Sequence, residues 1–343
     1  MRVLWLWPSK ECPPAGIEVR PQNDHADRLG AVITVAALSP SLDITYVVDQ
    51  LRLGEIHRPT EVHRVAGGKS LNLARAATAV GAPVQTIALL GGSTGDFLES
   101  ELRREGIGVR RVDSPTETRT CVSIGSAAGH ELTELYPYAP AIPDAAWQEF
   151  RRVFAEELSA ADGWLAINGS VPDGPPADAL AALTRLAIDA GLEVAIDSHG
   201  PALAGVLEAR PQLIKVNRYE AAELLGRDPD RAEVAELAKI ISARTGGSVI
   251  ITDGRAGAVF CSVEAGTVRA ELPADVSGHY PVGSGDSFLG GWLAATDRGA
   301  DPADALRLAT GCGAANALIP GPGLLDRRTA RQIADRTVLS RLS

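Results

Sequence analysis

The sequence has few cysteines and no excess of basic residues. Its four cysteines, Cys12, Cys121, Cys261 and Cys312, lie far apart, with no CxxC pair and no histidine at metal-ligand spacing. We therefore expect reduced thiols rather than disulfides or a cysteine-bound metal. Acidic residues outnumber basic ones by 43 to 33, and the net charge of −10 argues against binding to nucleic acid or to an anionic membrane. An anionic substrate would then need a local basic cluster or backbone amides.

Long apolar runs, internal repeats and low-complexity segments are also missing. The N-terminal apolar run stops at Pro8, which is too short for a signal sequence or a membrane span, so we expect a cytoplasmic protein. A chain of 343 residues suits one large α/β domain with a small appendage. Residues 1–30 show no periodic pattern, and we expect them to form an N-terminal extension to a main domain over residues 31–343.

From Ala31 onward, short apolar runs alternate with longer amphipathic stretches. Continuous apolar runs are typical of parallel strands buried on both faces, and the alternation predicts a mostly parallel sheet covered by helices on both sides. The predicted strands are Val32–Leu38, Val84–Leu90, Gly163–Ile167, Glu193–Ile196, Leu213–Val216 and Val249–Thr252. The predicted helices are Leu71–Val80, Ala177–Ala190, Ala232–Arg244, Asp286–Thr296 and Asp301–Leu318.

Two segments, about residues 44–66 and 115–137, interrupt this alternation. Both contain β-prone stretches, and the second has a glycine-bearing turn between them. We expect them to form a small β-sheet that stands off the main domain and acts as a lid.

Polar residues follow most of the predicted strands. Asp43, Asn168, Asp197, Asn217 and Asp253 each come at or just after a strand end. Ligands bind at the carboxyl ends of the strands in an open parallel sheet, so this pattern predicts a ligand crevice. Turn formation alone explains the glycines and asparagines of these loops better than it explains the repeated aspartates.

The motif Gly283–Phe288 carries the clearest chemistry. Its two glycines let the amides of Gly283, Ser284 and Gly285 converge at a helix N-terminus, where they would form an anion site. Asp286 could accept the proton of an attacking hydroxyl group. An aspartate that merely caps a helix after a glycine turn is the alternative, and this motif alone does not exclude it.

A second glycine motif, Ala66–Ala76, also precedes a predicted helix. Lys69 and Asn72 stand three residues apart and can share one helix face. A Walker A loop is excluded because His63 occupies the position of its upstream glycine.

In this order and separation, the two motifs resemble the signatures of the PfkB (ribokinase-like) carbohydrate kinases, and the resemblance runs from about Val32 to the C-terminal helix. It implies a three-layer α/β/α fold with a small β-sheet lid. It also implies an ATP-dependent phosphotransferase that uses ATP and Mg²⁺. The segment Leu38–Asp43 resembles the subgroup of the 1-phosphofructokinases, 6-phosphofructokinases and tagatose-6-phosphate kinases. The implied partner is therefore a small sugar phosphate.

The resemblance also assigns roles to individual residues. Asp43 would accept hydrogen bonds from sugar hydroxyls, and Lys69 with Arg119 would hold the phosphate already on the substrate. The implied catalytic residues are Asp286, Gly283, Ser284 and Gly285, and the implied substrate-binding residues are Asp43, Gly67, Gly68, Lys69, Asn72, Arg119 and Ser170.

The nucleotide would bind between two further segments. In Lys215–Glu220, Asn217 and Glu220 would hold Mg²⁺ indirectly through water, and the same pair could also cap a helix. The implied cofactor-binding residues are Lys215, Asn217, Thr252, Gly254, Gly257 and Asn316.

Four positions depart from the family pattern, namely Ser70, Tyr280, Pro281 and Ser284, and they leave the choice of substrate open. A kinase for an unphosphorylated sugar or nucleoside is one alternative. It is disfavoured because a neutral sugar would leave Lys69 and Arg119 without a partner. A non-catalytic sugar-phosphate sensor is a second alternative. A dinucleotide oxidoreductase is a third, but the glycines of Leu90–Gly95 lack GxGxxG spacing. A homodimer formed through the lid is a further expectation.

Overall fold

The computed structural model describes residues 32–127 and 131–342, so the predicted extension over residues 1–30 lies outside the described residues. These residues form two β-sheets, and helices cover both faces of the larger sheet. The strands are β1 (Ile33–Ala37), β2 (Ser41–Val48), β3 (Glu61–Gly67), β4 (Val84–Leu90), β5 (Gly108–Asp113), β6 (Thr120–Ser126), β7 (Leu132–Leu135), β8 (Trp164–Asn168), β9 (Glu193–Asp197), β10 (Leu213–Asn217), β11 (Ser248–Thr252), β12 (Ala258–Ser262), β13 (Gly266–Glu271) and β14 (Val338–Leu342). The α-helices are α1 (Lys69–Ala79), α2 (Gly92–Arg104), α3 (Asp144–Leu158), α4 (Ala179–Asp189), α5 (Gly200–Val206), α6 (Arg218–Leu224), α7 (Val234–Thr245), α8 (Ser284–Thr296), α9 (Pro302–Asn316) and α10 (Arg327–Arg336).

The large sheet has ten strands in the order β14-β13-β12-β11-β10-β9-β8-β1-β4-β5. The strands from β11 to β5 run parallel, whereas β12, β13 and β14 continue the sheet in antiparallel pairs. All six strands predicted from apolar runs belong to the parallel part. The carboxyl ends of these strands therefore meet at one edge of the sheet.

Two apolar cores lie on opposite faces of this sheet. Alternate residues of β1 contribute to each core, with Val35 in one and Ala36 in the other. The first core includes residues of α1, α8, α9 and α10, and the second includes residues of α3, α4 and α7. Each helix layer thus buries one face of the sheet, which explains why the strand sequences are apolar throughout. The predicted three-layer α/β/α fold is confirmed.

The two interrupting segments form a separate four-stranded sheet in the order β3-β2-β6-β7. Strand β2 pairs antiparallel with β3 and parallel with β6, and β7 completes the sheet next to β6. Residues of β6 alternate between buried Cys121 and Ser123 and partly exposed Val122 and Ile124. One face of this small sheet therefore turns inward, and the other faces outward.

Several elements were not predicted from the sequence. The predicted helices do not include residues 91–104, but α2 begins at Gly92. The carboxylate of Glu117, distant in sequence, accepts hydrogen bonds from the Thr94 amide (2.7 Å) and the Ser93 hydroxyl (3.2 Å). The first turn of α2 is capped by a tertiary contact, which local sequence does not reveal. The antiparallel strands β12 to β14 were also missed.

Within residues 32–127 and 131–342, each helix is too short or too polar to cross a membrane.

Candidate active site

Two adjoining cavities open where the parallel strands end. The larger, which we call the polar cavity, has a volume of ≈ 420 Å³, and its lining includes nine charged or amide side chains. The smaller has a volume of ≈ 280 Å³ and a mainly apolar lining. Thr252 and Gly285 line both cavities, so the two are neighbours. Asn168, Asn217 and Thr252 are the last residues of β8, β10 and β11, which places the site at the predicted edge of the sheet.

Asp286 is buried in the first turn of α8 and lines the polar cavity. Asn72 Nδ2 donates to its Oδ2 at 3.0 Å, and Asn168 Nδ2 donates to its Oδ1 at 3.2 Å. Burial raises the pKa of Asp286, and the negative charge of Asp197 raises that pKa further. A carboxylate with a raised pKa is a stronger base, which suits the removal of a proton from a hydroxyl group.

Asp197 was not among the predicted site residues, although it organises both lysines of the site. Its fully buried carboxylate receives Lys215 Nζ at 2.6 Å and Lys69 Nζ at 3.4 Å. Burial alone would raise the pKa of Asp197, but the charges of the two lysines outweigh it and hold that pKa below its ordinary value. The premise that Lys69 would lack a partner is therefore wrong.

Arg119 lines the same polar cavity but has different partners. Its Nη1 donates to the Pro137 carbonyl at 2.9 Å and its Nη2 donates to Ser39 Oγ at 3.1 Å. Among residues 32–127 and 131–342, no carboxylate lies within ion-pair distance of this guanidinium group, and its buried Nε has no hydrogen-bond partner. Its hydrogen-bond partners are neutral oxygens and the charge of Asp43 acts on it only from beyond ion-pair distance, so it is suited to hold an anion.

Asp43 lies on β2 at the wall of the cavity. Ser41 Oγ donates to its Oδ1 at 2.6 Å and the Gly68 amide donates to its Oδ2 at 3.2 Å. Burial raises the pKa of Asp43 despite these two hydrogen bonds. A β-carbon on Gly67 would lie 2.1 Å from Asp43 Oδ2. Gly67 itself does not line the cavity, but its missing side chain makes room for this carboxylate.

The N-terminus of α8 forms only part of the predicted anion hole. Gly283, the N-cap, has a φ of +80°, which favours glycine. The Ser284 amide donates to the Pro281 carbonyl at 3.0 Å, so this predicted donor is already occupied. Among the described residues, the amides of Gly283 and Gly285 make no hydrogen bond. A β-carbon on Gly285 would lie 2.7 Å from Lys215 Nζ, so this glycine lets the ammonium group approach the helix end.

Asn217 and Glu220 form a reciprocal cap at the start of α6. The Glu220 amide donates to Asn217 Oδ1 at 2.9 Å, and the Asn217 amide donates to Glu220 Oε2 at 2.8 Å. Glu220 Oε1 lies 3.7 Å from Lys69 Nζ. The described residues contain no cluster of three or more side chains suited to direct metal ligation. The side-chain oxygens of Asn217 and Glu220 fit a Mg²⁺ ion that keeps its water molecules, because this ion is usually bound directly by few protein ligands.

The apolar cavity fits the ring of a nucleotide base. Gly257 has a φ of +89°, and a β-carbon there would lie 1.9 Å from the Ala270 carbonyl oxygen. The loop carrying Gly254 and Gly257 therefore packs closely against β13. Mostly apolar surroundings next to the free amide of Gly285 suit a base joined to a phosphate chain. The apolar lining includes Leu272, Val276, Phe288, Ala314 and Ala317.

Asn316 lies behind the lining of the apolar cavity. Its fully buried side chain donates to the Val282 carbonyl at 2.8 Å and accepts from the Gly323 amide at 2.7 Å and from Ser287 Oγ at 3.1 Å. It is not part of the lining of the apolar cavity. Its amide supports the loop before α8, while its neighbours Ala314 and Ala317 line the apolar cavity, so its place near the adenine stays a prediction.

The structure otherwise brings the predicted site residues together. The polar cavity is lined by Asp43, Gly68, Lys69, Asn72, Arg119, Ser170, Lys215, Asn217, Glu220, Thr252, Gly283, Gly285 and Asp286. The apolar cavity is lined by Thr252, Gly254, Gly257, Ser284 and Gly285. The lining also includes Cys121, Tyr136 and His199, for which the sequence gives no signal. Asn168 directly follows the predicted strand Gly163–Ile167, and this position places it at the crevice without revealing its contact with Asp286.

A family model for the pfkB family carbohydrate kinases matches residues 34–327. The chain belongs to this family, and it is a carbohydrate kinase.

Solved structures of sugar kinases are similar to this chain over most of its length. Phosphofructokinase-2 from Escherichia coli, in complex with substrates and products, is 26% identical with a TM-score of 0.81, and the match covers 89% of this chain and 99% of that one. A possible 1-phosphofructokinase from Thermotoga maritima is 21% identical with a TM-score of 0.82, covering 91% of this chain and 100% of that one. A putative ribokinase from Agrobacterium tumefaciens is 18% identical with a TM-score of 0.72, covering 90% and 98%. The last two similarities concern the fold alone.

Proposed function

We propose that this kinase transfers the terminal phosphoryl group of ATP to a hydroxyl of a sugar phosphate, namely fructose 1-phosphate, fructose 6-phosphate or tagatose 6-phosphate. The observation that carries the proposal is the position of Asp286. It lines the polar cavity that contains Arg119, and its neighbour Gly285 also lines the apolar cavity. A hydroxyl beside Asp286 would therefore lie between the two substrates.

In this proposal Asp286 accepts the proton of the sugar hydroxyl as the oxygen attacks. Asn72 and Asn168 hold the two carboxylate oxygens in place, so the group loses little freedom on reacting. The free amides of Gly283 and Gly285 stabilise the charge that develops on the transferring group. Lys69 adds positive charge next to Asp286 and remains fixed by Asp197.

The nucleotide would occupy the apolar cavity and extend its phosphates toward α8. Gly254, Gly257 and Thr252 would contact it, with Lys215 near the phosphates. Asn217 and Glu220 would hold Mg²⁺ through its water molecules. ATP supplies the phosphoryl group, and Mg²⁺ neutralises part of the phosphate charge when both are bound.

The preference for a phosphorylated sugar depends on Arg119 in this structure. Its guanidinium group lacks an anionic partner among the described residues, and a substrate phosphate would supply one. Asp43 would accept hydrogen bonds from sugar hydroxyls. Because Lys69 is already paired with Asp197, an unphosphorylated sugar is the second candidate, with Arg119 then solvated.

The small sheet would act as the lid and as a dimer interface. Its inward face contacts the loop before α8, because a β-carbon on Gly125 would lie 3.2 Å from the Tyr280 ring. On its outward side, Val62 is 52% exposed and Leu135 is 59% exposed, and exposed apolar surface on a sheet can serve as a protein–protein interface. A second copy of the chain would bury these residues. One solved structure of phosphofructokinase-2 from Escherichia coli is that of a tetrameric inhibited form of that protein.

The substrate test measures ADP release with MgATP. The phosphate acceptors are fructose 1-phosphate, fructose 6-phosphate and tagatose 6-phosphate, with fructose and tagatose as matched controls. We expect turnover with at least one phosphosugar and much weaker turnover with the free sugars. Equal or better turnover with a free sugar would favour a kinase for an unphosphorylated sugar. Binding without any turnover would instead indicate a sensor.

The proposed dimer has its own test. Light scattering should show a dimer for the parent, and Val62→Glu should weaken the association of its two copies.

A further inference from the structure

Three arginines, Arg298, Arg327 and Arg331, lie near the C-terminal ends of α1 and α8. The N-terminal ends of these two helices carry the active-site residues Asn72 and Asp286. Arg298 lies two residues beyond the last residue of α8, and its Nη2 donates to the Val80 carbonyl at 3.3 Å, just after α1 ends. Arg327 and Arg331 lie four residues apart on α10, and can therefore share one face of that helix. All three residues are exposed at the surface.

The guanidinium groups of Arg298 and Arg327 point into one small volume. A β-carbon on Gly81, whose φ is +95°, would lie 3.2 Å from Arg298 Nη2 and 3.3 Å from Arg327 Nη1. Two cations thus approach the same point on the surface. Like charges this close repel one another unless an anion lies between them.

Within the part of the chain that the structure describes, no carboxylate forms an ion pair with this cluster, and Asp297 acts on Arg298 only from a longer distance. Among residues 32–127 and 131–342, no ion pair involves Arg298, Arg327 or Arg331, although arginines elsewhere commonly pair with acidic side chains, as Arg111 does with Asp96. Partial burial lowers the pKa of Arg298; the charge of Asp297 opposes that shift and the charge of Arg331 adds to it. The pKa of Arg327 is lowered by partial burial and then by Arg331 and Arg298. The protein as a whole carries a net charge of −10, so an unbalanced basic cluster is an exception.

We propose that Arg298, Arg327 and Arg331 form a binding site for a multiply charged phosphate group, separate from the active site. Guanidinium groups bind phosphate oxygens through paired N–H donors, and two of them converge here on one point. The 11 residues of α1 place this site roughly 16 Å along the helix from Lys69. A bound phosphate would hold together the far ends of α1 and α8, whose other ends carry Asn72 and Asp286.

The first test compares thermal unfolding in phosphate and in chloride at equal ionic strength. The parent is compared with the Arg298→Gln/Arg327→Gln double variant and with Arg328→Gln, a control that removes a positive charge from the same helix. We expect phosphate to raise the Tm of the parent and of the control more than that of the double variant. Phosphate binding at the active site contributes equally to all three. An equal phosphate-dependent rise in all three proteins would overturn the proposal.

The second test measures phosphate binding directly by calorimetry and also covers the case in which the double variant does not fold. Arg331→Gln leaves the contact between Arg298 and Val80 intact. It should weaken the remote site by about tenfold or more. Inorganic phosphate and glycerol 3-phosphate are used as separate probes. Binding of the inorganic ion alone would indicate free phosphate as the ligand, and equal binding of both would indicate the phosphate group of an organic molecule. Isotherms identical to those of the parent would contradict the assignment.

Discussion

Asn72 Nδ2 donates a 3.0 Å hydrogen bond to Asp286 Oδ2, joining the first turns of two helices whose residues are 214 positions apart in the chain. The two glycine motifs therefore form one site. The contact fixes the carboxylate while leaving it charged, because an amide N–H stabilises a carboxylate without neutralising it. The same contact opposes the increase in pKa that burial produces in Asp286.

The assignment of Arg119 to the substrate phosphate predicts a selective change in KM. Arg119→Gln should raise the KM for the sugar phosphate by about 10–100-fold, because a hydrogen-bonded charge is lost. The KM for ATP should change little. Steady-state kinetics with each substrate varied in turn would measure both values, with the exposed Arg185→Gln as a control of equal charge. An unchanged KM for the sugar phosphate would show that Arg119 does not contact it.

The nucleotide loop offers a matched pair of glycines. A β-carbon on Gly257 would collide with the Ala270 carbonyl, whereas one on Gly254 would meet open space, and both have positive φ. Gly257→Ala should displace the loop and raise the KM for ATP strongly. Gly254→Ala should cost only the backbone strain of about 1–2 kcal/mol in the free energy of unfolding. Chemical denaturation and ATP titration of both variants would measure these effects, and equal effects would rule out the steric explanation.

The negative charge of Asp197 predicts a shift in the pH profile. After burial, this charge is the main cause of the raised pKa of Asp286, and Lys69 and Lys215 act in the opposite direction. Asp197→Asn removes the repulsive charge and leaves both lysines unbalanced, so the pKa of Asp286 should fall. The acidic limb of kcat/KM should move to lower pH, along with a loss of overall activity. The exposed Asp189→Asn serves as the control. A limb that moves to higher pH would mean that another group controls it.

Burial of Asp286 also predicts a pH-dependent change in stability. Its pKa is raised in the folded state, so its contribution to stability is fully present below the unfolded-state pKa and is lost as pH rises through the folded-state pKa. The Asp286→Asn variant has no ionisable group at this position, so it does not lose stability in this way as the pH rises. The Tm of the variant minus that of the parent should therefore increase from acidic to neutral pH. A difference that decreases over this range would contradict the direction of the shift.

Much of the fold and of the site could be predicted from the sequence because local patterns determine them. The parallel strands are apolar throughout, and the glycines of Gly283–Phe288 and Ala66–Ala76 mark helix starts. The start of α2 could not be predicted, since Glu117 caps it from a distance. The antiparallel strands β12 to β14, which extend the sheet beyond its parallel part, could not be predicted from the alternation of strands and helices.

Contacts between residues distant in sequence also explain why some roles within the site could not be predicted. Asp197 and Asn168 were noticed as polar strand ends, but only their contacts with Lys69, Lys215 and Asp286 reveal their roles. The sequence likewise does not show the partners of Asn316, whose side chain forms hydrogen bonds with the backbone of the loop before α8 and with the hydroxyls of Ser284 and Ser287. Tertiary partners decide such roles, and a single sequence does not show them.

The central claim is that Asp286 acts as the base, and its most direct test is the turnover number of Asp286→Asn at saturating MgATP and phosphosugar. We expect kcat to fall by about 10²–10⁴. Substrate binding and the folded state should be retained, and the exposed Asp304→Asn should keep the parental rate. If Asp286→Asn turned over as fast as the parent, another group would have to accept the proton.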